Sequence, residues 1–409
     1  MTRAVLLIGA FDRFNFGDLL FPHILRHVFD DLGVEARYLY GALEGVDLRA
    51  RGGVCTLPLS SLKGDRFGPD DAAVVAGGEV LSARWLDAWL GAAGRRTSLA
   101  TKLAARVLGT SLVDAACRRL LGGRRPQPWV LDARDLGGEL SVIYNAVGGV
   151  GLDRLPPGLR SATRDRLGRA AHLSVRDPET RRVLESWDLP LDVELAPDCG
   201  VLVADVFPVE ALARGATPML AATLQRLGGR YVVFQVGRYP AWGRIGELAA
   251  GIARVHAETG LAVLLLPLGQ ASGHDDVVPL RRIRSRLGAV PAELLPAPTV
   301  TDILAAIAGA ELFMGSSLHG NLAALAYGVP HVPFGPRVGK LDATLRCWDR
   351  TCTDGSVPIA ELAPAATTAL DLDRSLRDEA SAAVRRAALA HMKALSLTVE
   401  RSVGSRRFS

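Results

Sequence analysis

The segment 315–321 has the residue types and spacing of a ligand-binding loop. It follows a short apolar run and precedes an alanine-rich stretch, which predicts a strand, a loop and a helix in that order. Ser316, Ser317 and Gly320 are small enough for a ligand to approach the backbone, and the helix N-terminus offers free N–H groups to an anion. His319 is the one side chain of this loop that changes protonation near neutral pH. We therefore expect His319 near the centre of the functional site.

Small and polar residues also follow two apolar runs in the first half of the chain. Gly17 allows a tight turn after the first run. Asp18 is either the cap of the next helix or, with Asn15, a ligand contact at the carboxyl end of a parallel strand. Gly77 and Gly78 follow a later run and would let a phosphate or carboxylate approach the backbone. Paired glycines are also common in turns, so this second signal is weak.

Three cations stand at the ends of predicted strands. Asp177 and Pro178 have the spacing of a helix N-cap followed by proline at the first helical position. Capping does not explain Arg176, whose guanidinium would suit bidentate binding of an anion. Arg337 and Lys340 follow the last predicted strand, on the same edge as the histidine loop, although each alone is typical of a solvated surface charge.

Acidic residues near and beyond the middle of the chain give less specific signals. Asp198, directly after a proline, is either a cap or a polar residue of a cleft. His274 beside Asp275 and Asp276 suggests a metal site. No second histidine or compact ligand set accompanies them, which favours a helix cap at one of the two aspartates. We therefore expect no bound metal.

Composition restricts the class of protein. A length of 409 residues favours two domains, and 49% hydrophobic with 22% charged residues excludes a disordered chain. The net charge of +5 suits an anionic ligand, but no clustered basic and aromatic face indicates nucleic acid. Five cysteines without a CxxC pair argue against a disulfide framework and favour a reducing compartment. The first apolar run is too short for a signal peptide, so we expect a cytoplasmic protein.

Apolar runs alternate with helical segments along the whole chain, which indicates parallel sheets covered by helices on both faces. The fold class is α/β, with two doubly wound, Rossmann-like domains that face a cleft. We expect an N-terminal domain over 1–205, a C-terminal domain over 229–370, and a C-terminal helix and tail over 371–409. The predicted strands are 4–9, 36–40, 72–76, 129–131, 141–145, 172–175, 231–236, 262–266, 312–314 and 331–333. The predicted helices are 19–32, 157–171, 178–187, 245–259, 276–287, 301–308, 322–326 and 375–395.

The segment 99–121 predicts an amphipathic helix with apolar residues at helical spacing and several basic residues nearby. Most such stripes pack on a domain, which would leave a solvated basic edge. The same composition is typical of a helix that lies in a membrane interface. The apolar positions are Leu99, Leu103, Val107, Leu112, Ala116 and Leu120, and the basic ones are Lys102, Arg106, Arg118, Arg119, Arg124 and Arg125.

Taken together and in this order, these motifs resemble the polysaccharide pyruvyl transferase family. The resemblance runs from about residue 4 to about residue 341, is strongest over 174–184 and 312–333, and leaves 90–128 as an insertion. It implies a fold similar to the glycosyltransferase type B architecture. It also implies transfer of a pyruvyl group from phosphoenolpyruvate to a sugar of a polysaccharide or glycoconjugate as a ketal, with no other cofactor. The sugar acceptor would be a glycan or a lipid-linked sugar, the latter at the inner face of the membrane.

The resemblance assigns the C-terminal domain to the donor and the N-terminal domain to the acceptor. Many family members carry arginine where Ser317 stands here, and Arg238 or Arg337 would replace that cation. The glycine turn often has a third glycine where Glu79 stands, so Glu79 faces the acceptor or signals a changed donor. The donor-binding residues would be Arg176, Ser316, Ser317, Gly320, Arg337, Lys340 and Arg238, and the acceptor-binding residues Asn15, Gly17, Gly77, Gly78 and Glu79.

The implied chemistry suits these residue types. A sugar hydroxyl attacks the central carbon of phosphoenolpyruvate while the methylene carbon takes a proton, phosphate leaves, and a second hydroxyl closes the ketal. His319 would be the acid/base or would stabilise the leaving phosphate. Asp18 would activate the acceptor hydroxyl. Two alternatives stay open: a nucleotide-sugar glycosyltransferase on the same architecture, and a non-catalytic glycan-binding relative.

Overall fold

A computed structural model describes residues 3–62, 67–92, 95–271, 275–335 and 339–401. Its strands are β1 (Arg3–Ile8), β2 (Ala36–Ala42), β3 (Leu57–Pro58), β4 (Ala72–Val75), β5 (Ser141–Val147), β6 (His172–Val175), β7 (Glu194–Leu195), β8 (Tyr231–Gln235), β9 (Ala262–Leu265), β10 (Ala292–Leu294), β11 (Leu312–Gly315) and β12 (His331–Pro333). Its α-helices are α1 (Phe16–Asp31), α2 (Trp85–Ala92), α3 (Arg95–Leu108), α4 (Thr110–Leu120), α5 (Ala133–Leu136), α6 (Pro157–Leu167), α7 (Pro178–Glu185), α8 (Val203–Val206), α9 (Val209–Gly215), α10 (Pro218–Leu227), α11 (Ile245–Thr259), α12 (Val277–Arg284), α13 (Val300–Ala308), α14 (Leu318–Ala326), α15 (Lys340–Trp348), α16 (Leu362–Asp371) and α17 (Arg374–Arg401).

The strands form two parallel sheets. The first has seven strands in the order β3-β2-β1-β4-β5-β6-β7, and the second has five in the order β10-β9-β8-β11-β12. We call the parts of the chain that carry these sheets the first lobe and the second lobe. The order reverses between β1 and β4 in one sheet and between β8 and β11 in the other, and ligands of doubly wound sheets bind at such reversals. The loops after these four strands are therefore the places to look for a site.

The predicted α/β class is confirmed. The predicted strands that are wrong or missing have local causes. Central strands such as β4 and β9 are buried along their whole length, so their sequences are continuous apolar runs. The predicted strand at 129–131 is wrong. That segment is buried but joins no sheet, because the Tyr144 hydroxyl accepts a hydrogen bond from the Leu131 N–H and donates one to its carbonyl. The missed strands β3, β7 and β10 are edge strands of two or three residues.

Three predicted helix boundaries also need correction. Helix α1 begins at Phe16, three residues earlier than predicted, so Asp18 lies in its first turn and is not its cap. Helix α14 begins at Leu318 with Ser317 as its N-cap, which places His319 inside the first turn. The expected single helix over 99–121 is two helices, because Gly109 has a φ of +90° between them.

Backbone hydrogen bonds join the two lobes beside the carboxyl ends of β1 and β9. The Phe16 N–H donates to the Leu268 carbonyl at 3.0 Å, and the Gln270 N–H donates to the Phe14 carbonyl at 3.0 Å. The last helix, α17, returns to the first lobe, where the His391 imidazole contacts the Asn145 side chain. Within the described residues, no helix is long and apolar enough to cross a membrane.

Candidate active site

A cleft of about 520 Å³ lies between the two lobes. The loops after β1 and β4 form one wall, and the segment after β8 together with the start of α15 forms the other. Seven of the residues predicted for the site line this cleft together: Asn15, Asp18, Gly77, Gly78, Glu79, Arg238 and Lys340. The facing reversals of the two sheets therefore bring together side chains that are far apart in the sequence.

The glycine turn of the first lobe has a backbone that only glycine adopts readily. Gly77 and Gly78 have φ values of +137° and +84°. A side chain on Gly77 would also collide with Phe21, since an ideal Cβ would lie 2.8 Å from its ring. Next to this turn, the Asn15 amide donates a hydrogen bond of 2.6 Å to the Asp18 carboxylate. The turn thus leaves its backbone open to a ligand while Asn15 orients Asp18.

Arg176, at the end of β6, lies beneath the cleft and is only 1% exposed. Its Nη1 donates to Asp198 Oδ2 at 2.8 Å, and its Nη2 donates to Glu79 Oε2 at 3.0 Å. Glu79 also accepts a hydrogen bond of 2.5 Å from the Val150 N–H. The sequence predicted that Arg176 would hold an anionic ligand, but here both ends of its guanidinium contact carboxylates. Direct binding of an anion would require one of these carboxylates to move.

Asp198 connects Arg176 to the histidine loop. Its Oδ1 accepts a hydrogen bond from the Gly200 N–H at 2.9 Å, so it also caps the short 3₁₀ turn that follows. Burial tends to raise the pKa of Asp198, but the charges of His319 and Arg176 outweigh this effect and hold the pKa below its usual range. The sequence left Asp198 as either a cap or a cleft residue, and the structure shows it as a cap within a buried charge network.

His319 extends from the second lobe into the first. Its Nε2 is 3.5 Å from Asp198 Oδ2, an ionic contact without hydrogen-bond geometry to any described residue. Phe21 packs edge-on against the ring, with 5.2 Å between the ring centroids. An ideal Cβ on Gly17 would lie 1.9 Å from His319 Nδ1, so the ring rests directly on the Gly17 backbone. His319 therefore contacts Phe21, a residue of the cleft, but does not line the cleft itself, and its side chain is 11% exposed.

A hydrogen-bond network of the second lobe fixes the histidine loop. Gln235, at the end of β8, accepts a hydrogen bond from the Ser317 N–H at 3.0 Å. Its amide donates to Asp276 Oδ2 at 2.9 Å. The Ser316 hydroxyl accepts from the Gly237 N–H at 3.0 Å, and Ser317 caps α14. The predicted donor-binding serines thus use their side chains, at least in part, to hold the loop.

Asp276 is the residue of this network that the sequence misassigned. Of the two predicted helix-cap candidates, Asp275 accepts a hydrogen bond of 3.2 Å from the Val277 N–H at the start of α12. Asp276 occupies the N-cap position, but its side chain makes no cap hydrogen bond to the helix. Its Oδ2 instead accepts from the Leu268 and Gly269 N–H groups at 3.1 and 3.0 Å. Burial raises the pKa of this carboxyl to about 7. Such a shift requires the desolvation of a folded interior, which residue spacing does not reveal.

Gly320 has a packing role in α14. An ideal Cβ there would lie 2.4 Å from the Phe313 ring and 3.0 Å from Leu268. The glycine lets the first turn of the helix lie directly on β11. Its predicted contact with the donor is not visible in this arrangement, because Gly320 is buried against the sheet.

The second-lobe wall carries two cations with no partner among the described residues. Arg238 and Lys340 line the cleft, and no hydrogen bond or ion pair joins either of them to another described residue. Tyr239 and Trp242 stand beside them and are 69% and 75% exposed. Arg337, predicted for the same group, lies outside the described residues. This wall is therefore positively charged and faces the carboxylates of Asp18 and Glu79.

Sequence reasoning missed the aromatic side chains of the cleft. Phe21 lies inside an amphipathic helix and reads as a core residue. Trp129 was assigned to a buried strand. Tyr239 and Trp242 could have been found from the sequence. They follow β8 and Arg238 closely, and aromatic residues at the end of a parallel strand are candidates for ligand contact.

Among the described residues, two groups of potential metal ligands lie away from the cleft. One consists of His172, Glu194 and His391, and the other of His331, Asp349 and Cys352. In the second group the His331 imidazole forms a 2.6 Å ion pair with Asp349 and a 3.1 Å contact with the Val329 carbonyl, so both ring nitrogens already have partners. His274, which suggested a metal in the sequence, lies outside the described residues. None of the six residues of these two groups lines the cleft.

Comparison with solved structures shows the fold. The UDP-GlcNAc 2-epimerase of Neisseria meningitidis, solved with UDP-GlcNAc, is 9% identical, with 98% of this chain and 99% of that chain covered and a TM-score of 0.53. The trehalose-6-phosphate phosphatase N-terminal domain of Candida albicans is 10% identical, with coverage of 98% and 97% and a TM-score of 0.53. The trehalose 6-phosphate synthase of Burkholderia multivorans is 12% identical, with coverage of 100% and 98% and a TM-score of 0.51. These likenesses confirm two Rossmann-like domains in the glycosyltransferase type B arrangement.

Comparison with protein families gives a more specific result. A model of the polysaccharide pyruvyl transferase family matches residues 15–337, which is most of the chain. The matched range includes the first-lobe wall from Asn15 onward and the segment after β8, and it ends three residues before Lys340. No curated protein matches the sequence.

Proposed function

Because the chain belongs to the polysaccharide pyruvyl transferase family, we propose that it transfers a pyruvyl group from phosphoenolpyruvate to a sugar, forming a pyruvate ketal. The observation that carries this proposal is the asymmetry of the cleft. On the second-lobe wall, Arg238 and Lys340 have no partner among the described residues. The first-lobe wall carries carboxylates and a glycine turn, and its one lining cation among the described residues, Lys102, donates a hydrogen bond to the Tyr239 hydroxyl. An anionic donor and a polyhydroxyl acceptor would fit these two walls side by side.

The donor would bind on the second-lobe wall. Phosphoenolpyruvate has a carboxylate and a phosphate, and charge-assisted hydrogen bonds from Arg238 and Lys340 suit both groups. Many family members carry an arginine at the position of Ser317, and Arg238 would supply that positive charge in this chain. Arg176 would act as a positioning residue, because its guanidinium holds Asp198 and Glu79 in place.

The acceptor would bind on the first-lobe wall. Asp18 is held by Asn15 and lines the cleft, so its carboxylate can take the proton of a sugar hydroxyl as that oxygen attacks the central carbon of the donor. The open backbone of Gly77 and Gly78 leaves room for a sugar ring. Glu79, whose side chain is 24% exposed, can accept a hydrogen bond from another sugar hydroxyl.

The reaction needs a proton for the methylene carbon of the donor, and phosphate is its leaving group. The methylene carbon of the donor becomes a methyl group when it gains a proton, and the first hydroxyl loses one to the base. Phosphate then leaves with its bonding electron pair, and a second hydroxyl oxygen closes the ketal as its proton is released. His319 would protonate the methylene carbon or stabilise the leaving phosphate. His319 contacts Phe21, which lines the cleft, but is not itself a lining residue, so either role requires the imidazole and the donor to come closer together.

Phosphate release tests the proposal directly. The full chain is incubated with phosphoenolpyruvate and a panel of glycans and lipid-linked sugars, and the products are examined by mass spectrometry for the ketal. Release that depends on an acceptor, together with a ketal product, supports the proposal. Consumption of UDP-sugars with no use of phosphoenolpyruvate would identify a glycosyltransferase instead. Glycan binding with neither reaction would identify a non-catalytic relative.

A further inference from the structure

Helices α3 and α4 expose an apolar surface that the first lobe does not cover. Leu99, Leu103 and Val107 of α3 repeat every four residues and are 72%, 63% and 74% exposed. Leu112 and Leu120 of α4 are 62% and 69% exposed. Residues at this spacing share one face of a helix. The apolar stripe predicted from the sequence therefore points away from the core.

The same two helices pack on the first lobe through other residues. Val113 and Cys117 of α4 are buried with Trp85 and Leu86 of α2. The folded lobe thus has its own small core beneath α4 and does not need the exposed stripe. Contiguous exposed apolar surface of this kind marks a contact with another protein or with a membrane.

The apolar surface adjoins the mouth of the cleft. Lys102 of α3 lines the cleft and donates a hydrogen bond of 2.7 Å to the Tyr239 hydroxyl of the second lobe. Tyr239 and Trp242 are largely exposed there. Tyrosine and tryptophan are enriched where proteins meet the membrane–water interface, because each combines an apolar ring with a polar atom. The two aromatic side chains extend the exposed surface from α3 to the second lobe.

The charge of the segment favours an anionic surface. Residues 95–125 contain eight Lys and Arg residues and one acidic residue, Asp114. The whole chain has 48 Lys+Arg and 43 Asp+Glu, so the remainder has 40 basic and 42 acidic residues. All the excess positive charge is therefore in this segment. Asp114 is partly buried and accepts a hydrogen bond from the Leu86 N–H, and Arg125 is only 8% exposed, so the surface of the segment keeps a basic excess.

We propose that the exposed face of α3 and α4, with Tyr239 and Trp242, binds the surface of an anionic phospholipid bilayer. The apolar side chains would enter the interface while the basic ones contact lipid phosphates. A second copy of this chain is a poorer occupant, since it would bring two strongly basic faces together. This arrangement places the mouth of the cleft at the bilayer. If the proposed function holds, a lipid-linked sugar acceptor would be presented there.

Vesicle co-sedimentation of the full chain tests the membrane contact. Vesicles of phosphatidylcholine with phosphatidylglycerol should bind the protein, vesicles of phosphatidylcholine alone should bind it less, and added salt should weaken binding. The charge variant Arg106→Gln/Arg119→Gln/Arg124→Gln should lose binding on the order of a hundredfold. The apolar variant Leu99→Ser/Leu103→Ser/Val107→Ser should lose binding to both kinds of vesicle.

Matched controls change similar residues elsewhere on the surface. Val209, Leu376 and Leu397 are exposed apolar residues away from α3 and α4, and replacing all three by serine should leave vesicle binding unchanged. The basic control is Arg281→Gln/Arg282→Gln/Arg386→Gln. Equal loss in the controls would overturn the proposal, as would wild-type protein that stays in the supernatant with anionic vesicles at low salt.

Two outcomes separate this inference from the proposed function. If the protein releases phosphate with a soluble glycan but never binds vesicles, the membrane contact is wrong and the reaction stands. If vesicles bind but no acceptor supports phosphate release, the reaction is wrong and the membrane contact stands. Concentration-dependent dimerisation that the apolar variant abolishes, without vesicle binding, would assign the face to a second copy of the chain.

Discussion

The two walls of the cleft are built differently. On the first lobe, Arg176 holds Asp198 and Glu79 in a network in which Arg176 and Asp198 are almost fully buried, so the wall keeps its shape without a ligand. On the second lobe, Arg238 and Lys340 have no partner among the described residues. A preorganised wall suits the positioning of reacting hydroxyls, and a wall of free cations gains its partners when an anion binds. The difference supports the proposed placement of the donor on the second lobe and of the acceptor on the first.

His319 links the two walls. It belongs to the second lobe by sequence, but it contacts Gly17, Phe21 and Asp198 of the first. A change in the distance between the lobes would therefore alter the surroundings of the imidazole directly. This coupling gives the interface a role in positioning the site as well as in holding the fold together.

The largest effect on stability should come from Arg176→Leu. Removing the guanidinium leaves Asp198 buried without its cation, and breaking a buried ion pair costs about 3–5 kcal/mol. Urea unfolding would measure the loss. The control Arg181→Ala removes a half-exposed pair with Glu185 and should cost at most about 1 kcal/mol. Equal effects would show that the first-lobe wall is not preorganised by Arg176.

The largest effect on turnover without global unfolding should come from His319→Ala and Gly17→Ala. An alanine at position 17 would place its Cβ 1.9 Å from His319 Nδ1 and force the ring away. Loss of a positioned acid/base lowers turnover about a hundredfold or more. Gly158→Ala is the control, since nothing lies within 4 Å of its Cβ position. Steady-state phosphate release measures all three, and normal turnover in Gly17→Ala would remove His319 from the mechanism.

Donor affinity should depend on the second-lobe wall. Arg238→Gln and Lys340→Gln should each weaken binding of phosphoenolpyruvate by roughly 1.5–3 kcal/mol, the usual contribution of a hydrogen bond to a charged group. Stability should change little because neither cation pairs with another described residue. Lys393→Gln on α17 is the matched exposed control. Calorimetric titration with phosphoenolpyruvate decides the point, and unchanged affinity in both variants would place the donor elsewhere.

The sequence predicted those features of the two walls that depend on local residue patterns. Continuous apolar runs gave the central strands, and small or polar residues after them gave seven residues that line one cleft. It did not predict what each side chain contacts. Arg176 looked like a free cation because Asp198 and Glu79 lie 22 and 97 residues away in the chain. The burial that raises the pKa of Asp276 arises only when the second lobe folds.

The last predicted effect distinguishes the two lobes by how their stability responds to pH. Because burial raises the pKa of Asp276 from 3.8 to about 7, the folded state holds a proton that the unfolded state releases, and the contribution of Asp276 to stability should fall as the pH rises from about 4 to about 7. Asp198 has the opposite shift, so its contribution is present above about pH 4 and is lost as pH falls. Unfolding measured across this range should show a shallower decline in Asp276→Asn, which mimics the protonated acid. An unchanged pH profile in that variant would mean that the three N–H groups facing Asp276 keep it ionised despite its burial.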